Sequence, residues 1–280
     1  MQYLHPVITV ELFPEERLAL LHLLNALPDE QWANPTVCPG WSVHDLALHL
    51  LGDDIGIISA RRDGYRELRT PANLDLSQWA NLVAYINQHN EQWVQAMQRI
   101  SPRLLCEFLQ MTGEAIARHF AQLDQFAIGV PVHWAGPDPA PVWLDTAREY
   151  TERWVHQQHI RDAVEQPGLK ERRWLAPVLE TFVYALPQAL RQVNSPLDTT
   201  VQLVVTGDAG GTWSAVRTDQ AWALSTEAAR EPDARVTMDQ EIAWRLFTKG
   251  LSKDEALPHI GLEGNSVLAD KVLDMVSIIA

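Results

Sequence analysis

A helix that carries ionisable groups on its buried side is the feature that most constrains this chain. Residues 145–164, DTAREYTERWVHQQHIRDAV, have helical periodicity. At about 100° per residue, four ionisable residues fall on one inner stripe: Glu149, Glu152, His156 and His159. Three polar residues fall opposite and are predicted to face solvent: Thr151, Gln158 and Asp162. Because unpaired ionisable groups are costly in a core, the stripe requires a partner, and a metal ion is the simplest one.

Length and composition limit the class of protein. The chain has 280 residues, which predicts two domains, and 46% of them are apolar, which predicts packed cores. The formal net charge of −14 argues against nucleic acid and anionic membranes as partners. We expect a small-molecule substrate, and a chain that acts as a monomer or a homodimer.

Two further features predict a cytoplasmic protein. The two cysteines, Cys38 and Cys106, are too few for a disulfide framework and fit a reducing compartment. The N-terminal segment lacks the pattern of a signal peptide, and no stretch approaches the ~18–20 apolar residues of a membrane helix.

Helices joined by loops are predicted for the N-terminal part of the chain, which indicates a helical bundle. The predicted helices cover residues 41–59, 77–100, 102–126 and 145–164, after a first helix at 12–27. Ser42 and Asp45 resemble a capping box for the second helix, and Ser77 is predicted to cap the third.

The pattern changes at residues 165–168, EQPG, where we place a domain boundary. Strands are predicted at 199–207, 212–218, 220–226 and 234–239. Helices are predicted before them, at 174–192, and after them, at 240–249 and from residue 264 onward. This arrangement indicates a small α+β domain, so the predicted domains are 1–167 and 168–280.

The candidate site combines the buried stripe with a histidine from the second helix. Glu152 and His156 stand one helical turn apart on one face, so both can reach one ion. His49 lies on the polar side of an otherwise apolar helix and would complete a set of two histidines and one carboxylate. Such a set with an open position is typical of catalytic zinc and also suits iron, manganese or nickel. The competing interpretation is an intrahelical Glu152–His156 pair in a wet crevice.

Other polar residues near this site have several possible roles. His159 could be a fourth ligand, a hydrogen-bond donor to a ligand, an acid–base group or a buried histidine without a role. Asp53 is a weaker candidate beside His49, and Glu149 is predicted to pair with Arg153 near the surface. Cys38 precedes a helix N-terminus, where a thiolate is stabilised, but the sequence shows no base near it. We therefore interpret it as structural.

Two signatures carry a resemblance to a known family. Residues 37–50, VCPGWSVHDLALHL, resemble the CPGW-T-V-x-D-x-x-x-H signature of the mycothiol-dependent maleylpyruvate isomerase family, which belongs to the wider DinB-like metalloenzymes. Residues 152–161, ERWVHQQHIR, resemble its second signature, E-x-W-V-H-x-x-D-I-R. His159 stands where the family has Asp, so any role of that carboxylate is in question. The C-terminal third is similar to the family's second domain, which looks like sterol-carrier proteins.

The resemblance implies a multi-domain fold: an all-α DinB-like four-helix bundle followed by a small α+β sterol-carrier-like domain. It implies one divalent metal, commonly zinc, held by His49, Glu152 and His156, and a low-molecular-weight thiol as cosubstrate. The implied reaction is either cis–trans isomerisation of a maleylpyruvate-like unsaturated acid or transfer of the thiol to an electrophile. We expect His159 to serve as a catalytic acid, and Arg153 or Arg161 to hold a substrate carboxylate.

Two hypotheses from other classes stay open at this point. The first is a binding or regulatory protein that keeps the DinB-like bundle and does no chemistry. The second is a metal-dependent hydrolase in which Glu149 acts as the base for water.

Overall fold

A computed structural model of the chain describes residues 4–65, 75, 78–225 and 231–276. Contacts divide the chain into two compact units. The bundle unit comprises Val10–Leu123 and Glu152–Gly168. The sheet unit comprises the described residues of Met1–Thr9, Asp124–Thr151 and Leu169–Ile278. One change of unit thus falls between residues 168 and 169, while the predicted division into domains 1–167 and 168–280 stays a prediction.

Within the described residues, the bundle unit contains five α-helices or parts of them. They are α1 (Leu12–Ala26), α2 (Val43–Ile57), α3 (Trp79–Met97), α4 (Pro102–Gln122) and the C-terminal part of α5 (Val142–Ala163). A single π-helical turn at Ile58–Arg62 extends α2. Leucines of α1 and α2 and apolar residues of α4 form the buried core of this unit. The predicted helical N-terminal region is confirmed.

Local sequence signals fix where these helices begin. The Ser42 side chain accepts a hydrogen bond from the Asp45 backbone N–H, and Asp45 accepts one from the Ser42 backbone N–H, so the predicted capping box is present. Ser101 caps α4, and Pro102 occupies its first turn, where no N–H is needed. The predicted cap at Ser77 lies outside the described residues.

The sheet unit contains one five-stranded sheet and several helices. Its strands are β3 (Thr200–Thr206), β4 (Gly211–Arg217), β5 (Trp222–Ser225), β6 (Ala234–Asp239) and β7 (Gly261–Gly264), in the order β5-β4-β3-β6-β7. Strand β3 runs parallel to β6, and the other neighbours are antiparallel. The helices are α6 (Arg172–Phe182), α7 (Leu186–Leu190), α8 (Gln240–Phe247), α9 (Lys253–Ala256) and α10 (Ser266–Leu273). The predicted α+β region is confirmed.

The remaining part of the sheet unit precedes α5. Here β1 (Ile128–Pro131) and β2 (Pro139–Pro141) form a short antiparallel pair. The helix predicted at 174–192 is interrupted, because Pro187 lacks an N–H and starts the new helix α7. Strand β7 was not predicted, since all four of its residues are exposed and carry no apolar alternation.

The predicted solvent face of α5 is wrong for two of its three residues. Thr151 and Gln158 are buried, and only Asp162 is exposed. Their polar groups are satisfied inside: the Thr151 hydroxyl donates to the Arg148 carbonyl over 2.7 Å, and the Gln158 amide donates to the Gly168 carbonyl over 3.1 Å. Because most of the surface of α5 is buried, the polarity of its residues does not show which side of the helix faces solvent. Among the described residues, no helix is long and apolar enough to cross a membrane.

Candidate metal centre

Helices α2 and α5 bring the three predicted ligands together inside the bundle unit. Nε2 of His49 lies 3.4 Å from Oε1 of Glu152, and Nε2 of His156 lies 2.9 Å from the same oxygen. The two imidazole rings are 4.7 Å apart and nearly perpendicular. One ligand atom from each of these residues lies within 4.8 Å of the others, so we call this group the carboxylate set.

The carboxylate set fits a divalent ion. Bonds of about 2.0–2.2 Å at tetrahedral angles separate neighbouring N and O ligand atoms by about 3.3–3.6 Å. The His49–Glu152 distance of 3.4 Å matches that spacing, and the shorter His156–Glu152 distance of 2.9 Å is that of a hydrogen bond. Both histidines are buried, while the Glu152 side chain keeps 15% of its surface exposed, which leaves the set open on one side.

Electrostatics in the carboxylate set favour a charged pair. Burial opposes ionisation of Glu152, but the imidazoles of His156 and His49 hold its pKa well below the usual value. Burial likewise lowers the pKa of His156, but the Glu152 carboxylate and then the Cys38 sulfur raise it to about 10. A metal ion bound to this set would replace the proton that His156 carries, since only neutral imidazole is a ligand.

A second, fully buried network lies beside the site and fixes helix α5. Asp54 on α2 has no exposed surface, and its carboxylate accepts hydrogen bonds from Arg17 of α1 over 2.6 and 3.2 Å. It also accepts from Thr112 of α4 over 2.7 Å and from Arg153 of α5 over 2.8 Å. Because Arg153 follows Glu152 in sequence, Asp54 ties the ligand-bearing turn of α5 to three other helices.

The structure corrects two expectations about helix α5. Arg153 is 1% exposed and bound to Asp54, so it is not placed to hold a substrate carboxylate. Glu149 is 4% exposed rather than near the surface, and it forms an ion pair with Arg148. Sequence reasoning missed Asp54, because this residue follows Asp53 in an otherwise apolar segment and belongs to no motif.

The CPGW segment forms a tight turn that presents Cys38. The Trp41 N–H donates to the Cys38 carbonyl over 3.0 Å, and Gly40 has a φ of +82°. Proline second and a positive-φ glycine third are the pattern of a type II β-turn. Thr36 braces the turn, because its hydroxyl accepts from the Cys38 N–H and donates to the Trp41 carbonyl.

The turn places Cys38 against helix α5. Its Sγ lies 3.5 Å from Nδ1 of His159, which is buried at 3% exposure. Cys38, His156 and His159 each offer an atom within 4.8 Å of the others, and we call this group the thiol set. The expectation that Cys38 lacks a nearby base was wrong. The two residues are 121 positions apart, so only the tertiary fold reveals the pair.

The remaining candidates lie at the edge of the site or away from it. Oδ2 of Asp53 lies 3.6 Å from Nε2 of His49, one turn along α2. Arg161 donates to the Gln157 side chain and lines a cavity of about 540 Å³ between α1 and the end of α5. Trp41 packs against the His49 ring at 5.2 Å and covers one side of the carboxylate set.

Comparisons with known proteins agree with this architecture. Residues 13–161 match the family of the mycothiol maleylpyruvate isomerase N-terminal domain. Because the match covers more than half of the chain, the protein belongs to that family. A relative named uncharacterized protein Rv0036c, from Mycobacterium tuberculosis (strain ATCC 25618 / H37Rv), is 27% identical over 212 residues. That alignment covers 74% of this chain and 76% of the relative.

Solved structures show a similar fold. The crystal structure of the mycothiol-dependent maleylpyruvate isomerase covers 91% of both chains at 10% identity, with a TM-score of 0.52. A mutant of the same enzyme gives a TM-score of 0.51 over 88% of this chain. Sterol Carrier Protein 2 Like 2 from Aedes aegypti covers 35% of this chain at 22% identity, but its TM-score of 0.28 carries no conclusion.

Proposed function

We propose that the protein is a metal-dependent enzyme that adds a low-molecular-weight thiol to a conjugated unsaturated acid. The observation that carries the proposal is the carboxylate set, in which His49, Glu152 and His156 bring ligand atoms within 4.8 Å of one another inside the bundle unit. Membership of the mycothiol maleylpyruvate isomerase family supports the thiol as cosubstrate. Mycothiol is the proposed thiol, and a maleylpyruvate-like acid is the proposed substrate.

The carboxylate set would hold one divalent ion, for which zinc is the first candidate. When bound there, such an ion would stabilise a thiolate at neutral pH as a Lewis acid. Three ligands leave the fourth position of a tetrahedral ion open. Because Glu152 supplies the only negative charge among the three, an anionic sulfur can occupy that position. Trp41 and the surrounding helices keep bulk water away from His49.

The thiolate adds to the double bond of the substrate, and the electron pair moves onto the adjoining carbonyl oxygen. The imidazole of His159 supplies the proton that this oxygen needs, because the ring lies 5.4 Å from the ring of the ligand His156. Rotation about the new single bond and expulsion of the thiolate return the proton and give the trans isomer. If the thiolate stays attached, the same first step amounts to thiol transfer.

The proposal is tested by turnover with the metal, the thiol and the substrate supplied separately. We expect isomerisation of maleylpyruvate by the full chain only with both Zn²⁺ and mycothiol present, and loss of turnover with a chelator. His49→Ala should abolish turnover, because the carboxylate set loses one of its three ligands, whereas His22→Ala, at an exposed position, should leave turnover unchanged. Metal-free protein with full activity would refute the proposal.

The role of His159 has its own test. His159→Ala should lower kcat by about 10²- to 10⁴-fold while the bound metal content stays the same, because the acid is lost and the ligands remain. An unchanged kcat would remove His159 from the reaction.

A reduced thiol as cosubstrate and a free Cys38 both fit an enzyme of the cytoplasm, which is the compartment we propose.

A further inference from the structure

The thiol set has the spacing of a coordination site. Sγ of Cys38 lies 3.5 Å from Nδ1 of His159. An ion with bonds of about 2.3 Å to sulfur and about 2.0–2.1 Å to nitrogen holds two such atoms about 3.5 Å apart at tetrahedral angles. The distance between the Cys38 and His159 atoms therefore suits two ligands of one tetrahedral ion, and His156 contributes a third atom within 4.8 Å of both.

The surroundings of the thiol set also favour a ligand. His156 is 3% exposed, and its Nδ1 atom has no hydrogen-bond partner among the described residues. Buried polar atoms without a partner destabilise the folded state. A bound ion is one partner that can reach this ring from the Cys38 side.

Cys38 is held in place before any ligand arrives. Its N–H donates to Thr36 Oγ1 over 3.2 Å, and its carbonyl accepts from the Trp41 N–H over 3.0 Å. The Pro35↔Ser42 bridge closes the base of the same turn. A ligand fixed by the backbone on both sides loses little freedom on binding, which is how preorganised sites gain affinity.

We propose that Cys38, His156 and His159 form a second site for a thiophilic divalent ion such as Zn²⁺, Co²⁺ or Cd²⁺. The site shares His156 with the carboxylate set, so the chain holds one ion in one set or the other. Binding of the ion releases the thiol proton of Cys38 and the proton that His156 carries to solvent, because the thiolate and the neutral imidazole are the ligands. A set with sulfur favours softer ions than a set with a carboxylate, so Cd²⁺ should prefer the thiol set.

The first test is alkylation of the wild-type chain. Cd²⁺ should slow iodoacetamide modification of Cys38 by about tenfold or more, and a chelator should restore it, since a coordinated thiolate is a poor nucleophile. The buried Cys106, read in the same digest by mass spectrometry, is the internal control. His159→Ala should abolish the protection, and His22→Ala should keep it. Equal modification of Cys38 with and without Cd²⁺ would overturn the proposal.

The second test uses cobalt spectra of a chain that lacks the carboxylate set. His49→Ala removes one ligand of that set only, so this variant should bind one Co²⁺ and show a near-ultraviolet thiolate-to-cobalt band. The band should vanish on adding Cys38→Ser and persist on adding Cys106→Ser. Bound cobalt without a band would overturn the thiol set. Neither test needs substrate or turnover. The thiol set can therefore fail these tests while the proposed function holds, and it can pass them while the proposed function fails.

Discussion

Nη2 of Arg153 donates to Oδ1 of Asp54 over 2.8 Å, with both side chains almost completely buried. The bond joins α5 to α2 one residue away from Glu152, so it fixes the rotation of α5 that turns Glu152 and His156 toward His49. Loss of one partner of such a buried ion pair destabilises the folded state strongly, because the other charge stays buried without compensation.

Loss of the Asp54 charge should therefore unfold or loosen the bundle unit. Asp54→Asn leaves Arg17 and Arg153 facing a neutral amide, so we expect the free energy of unfolding to fall by about 3–5 kcal/mol. Asp63→Asn is the matched control, because Asp63 also pairs with an arginine but is half exposed. That control should cost little, because water screens an exposed ion pair. Urea unfolding measures both, and equal losses would contradict this role of Asp54.

The pKa of Asp54 sets a direction for acid sensitivity. Burial opposes ionisation, but Arg17 and then Arg153 hold the pKa of Asp54 below the ordinary aspartate value. A lowered pKa stabilises the fold at every pH above the unfolded value of about 3.9, and this stabilisation is lost as the pH falls toward the folded pKa. The difference in unfolding free energy between wild type and Asp54→Asn should be constant above about pH 5 and shrink below about pH 4. A difference that grows on acidification would contradict the assignment.

Glu16 should behave in the opposite way from Asp54. Burial raises the pKa of Glu16, against the lowering effects of Arg17 and of the hydrogen bond that Gln157 donates over 2.6 Å. Because a raised pKa means that ionisation destabilises the fold, Glu16→Gln should leave stability unchanged or raise it by about 1 kcal/mol at pH 8. Thermal unfolding of this variant beside Glu15→Gln, at an exposed neighbour, measures the effect. A loss above about 2 kcal/mol would show that the Glu16 charge is needed.

Gly40 and Gly56 form a matched pair for the CPGW turn. A Cβ at either position meets no atom within 4 Å, but only Gly40 has a positive φ, of +82°. Gly40→Ala should cost about 1–2 kcal/mol of backbone strain and change the reactivity of Cys38 toward iodoacetamide. Gly56→Ala, inside α2, should stabilise by about 0.5–1 kcal/mol and leave Cys38 unchanged. Equal effects of the two changes would argue against the type II turn.

The predictable part of the site consists of features that depend on local sequence. Ser42 and Asp45 form their capping box within one helical turn, and Glu152 and His156 share a face because of helical periodicity alone. The position of His49 beside these residues was also predictable, because it lies on the polar side of an otherwise apolar helix. The helical and α+β regions were also predictable, because their patterns differ in period.

What could not be predicted depends on contacts between distant segments. The Cys38–His159 contact requires the CPGW turn to pack on α5, and nothing near either residue signals it. Gln158 was misplaced for the same reason: the side chain is polar but satisfied inside by the Gly168 carbonyl. The Asp54 network shows the same limit, since nothing in the sequence distinguishes Asp54 from its neighbour Asp53 until the fold brings Arg17 and Arg153 to it.

The carboxylate of Asp54 has consequences for how this sequence can diverge. A substitution that removes it leaves two guanidinium groups in the core without a counter-ion. Asp54 can therefore be replaced without loss of stability only when Arg17 and Arg153 are replaced as well. In related chains we expect these three positions to covary as a block, either all ionic or all apolar. A change from the ionic to the apolar set must pass through proteins of low stability. We therefore expect family members that share the same set at these positions to share a common ancestor.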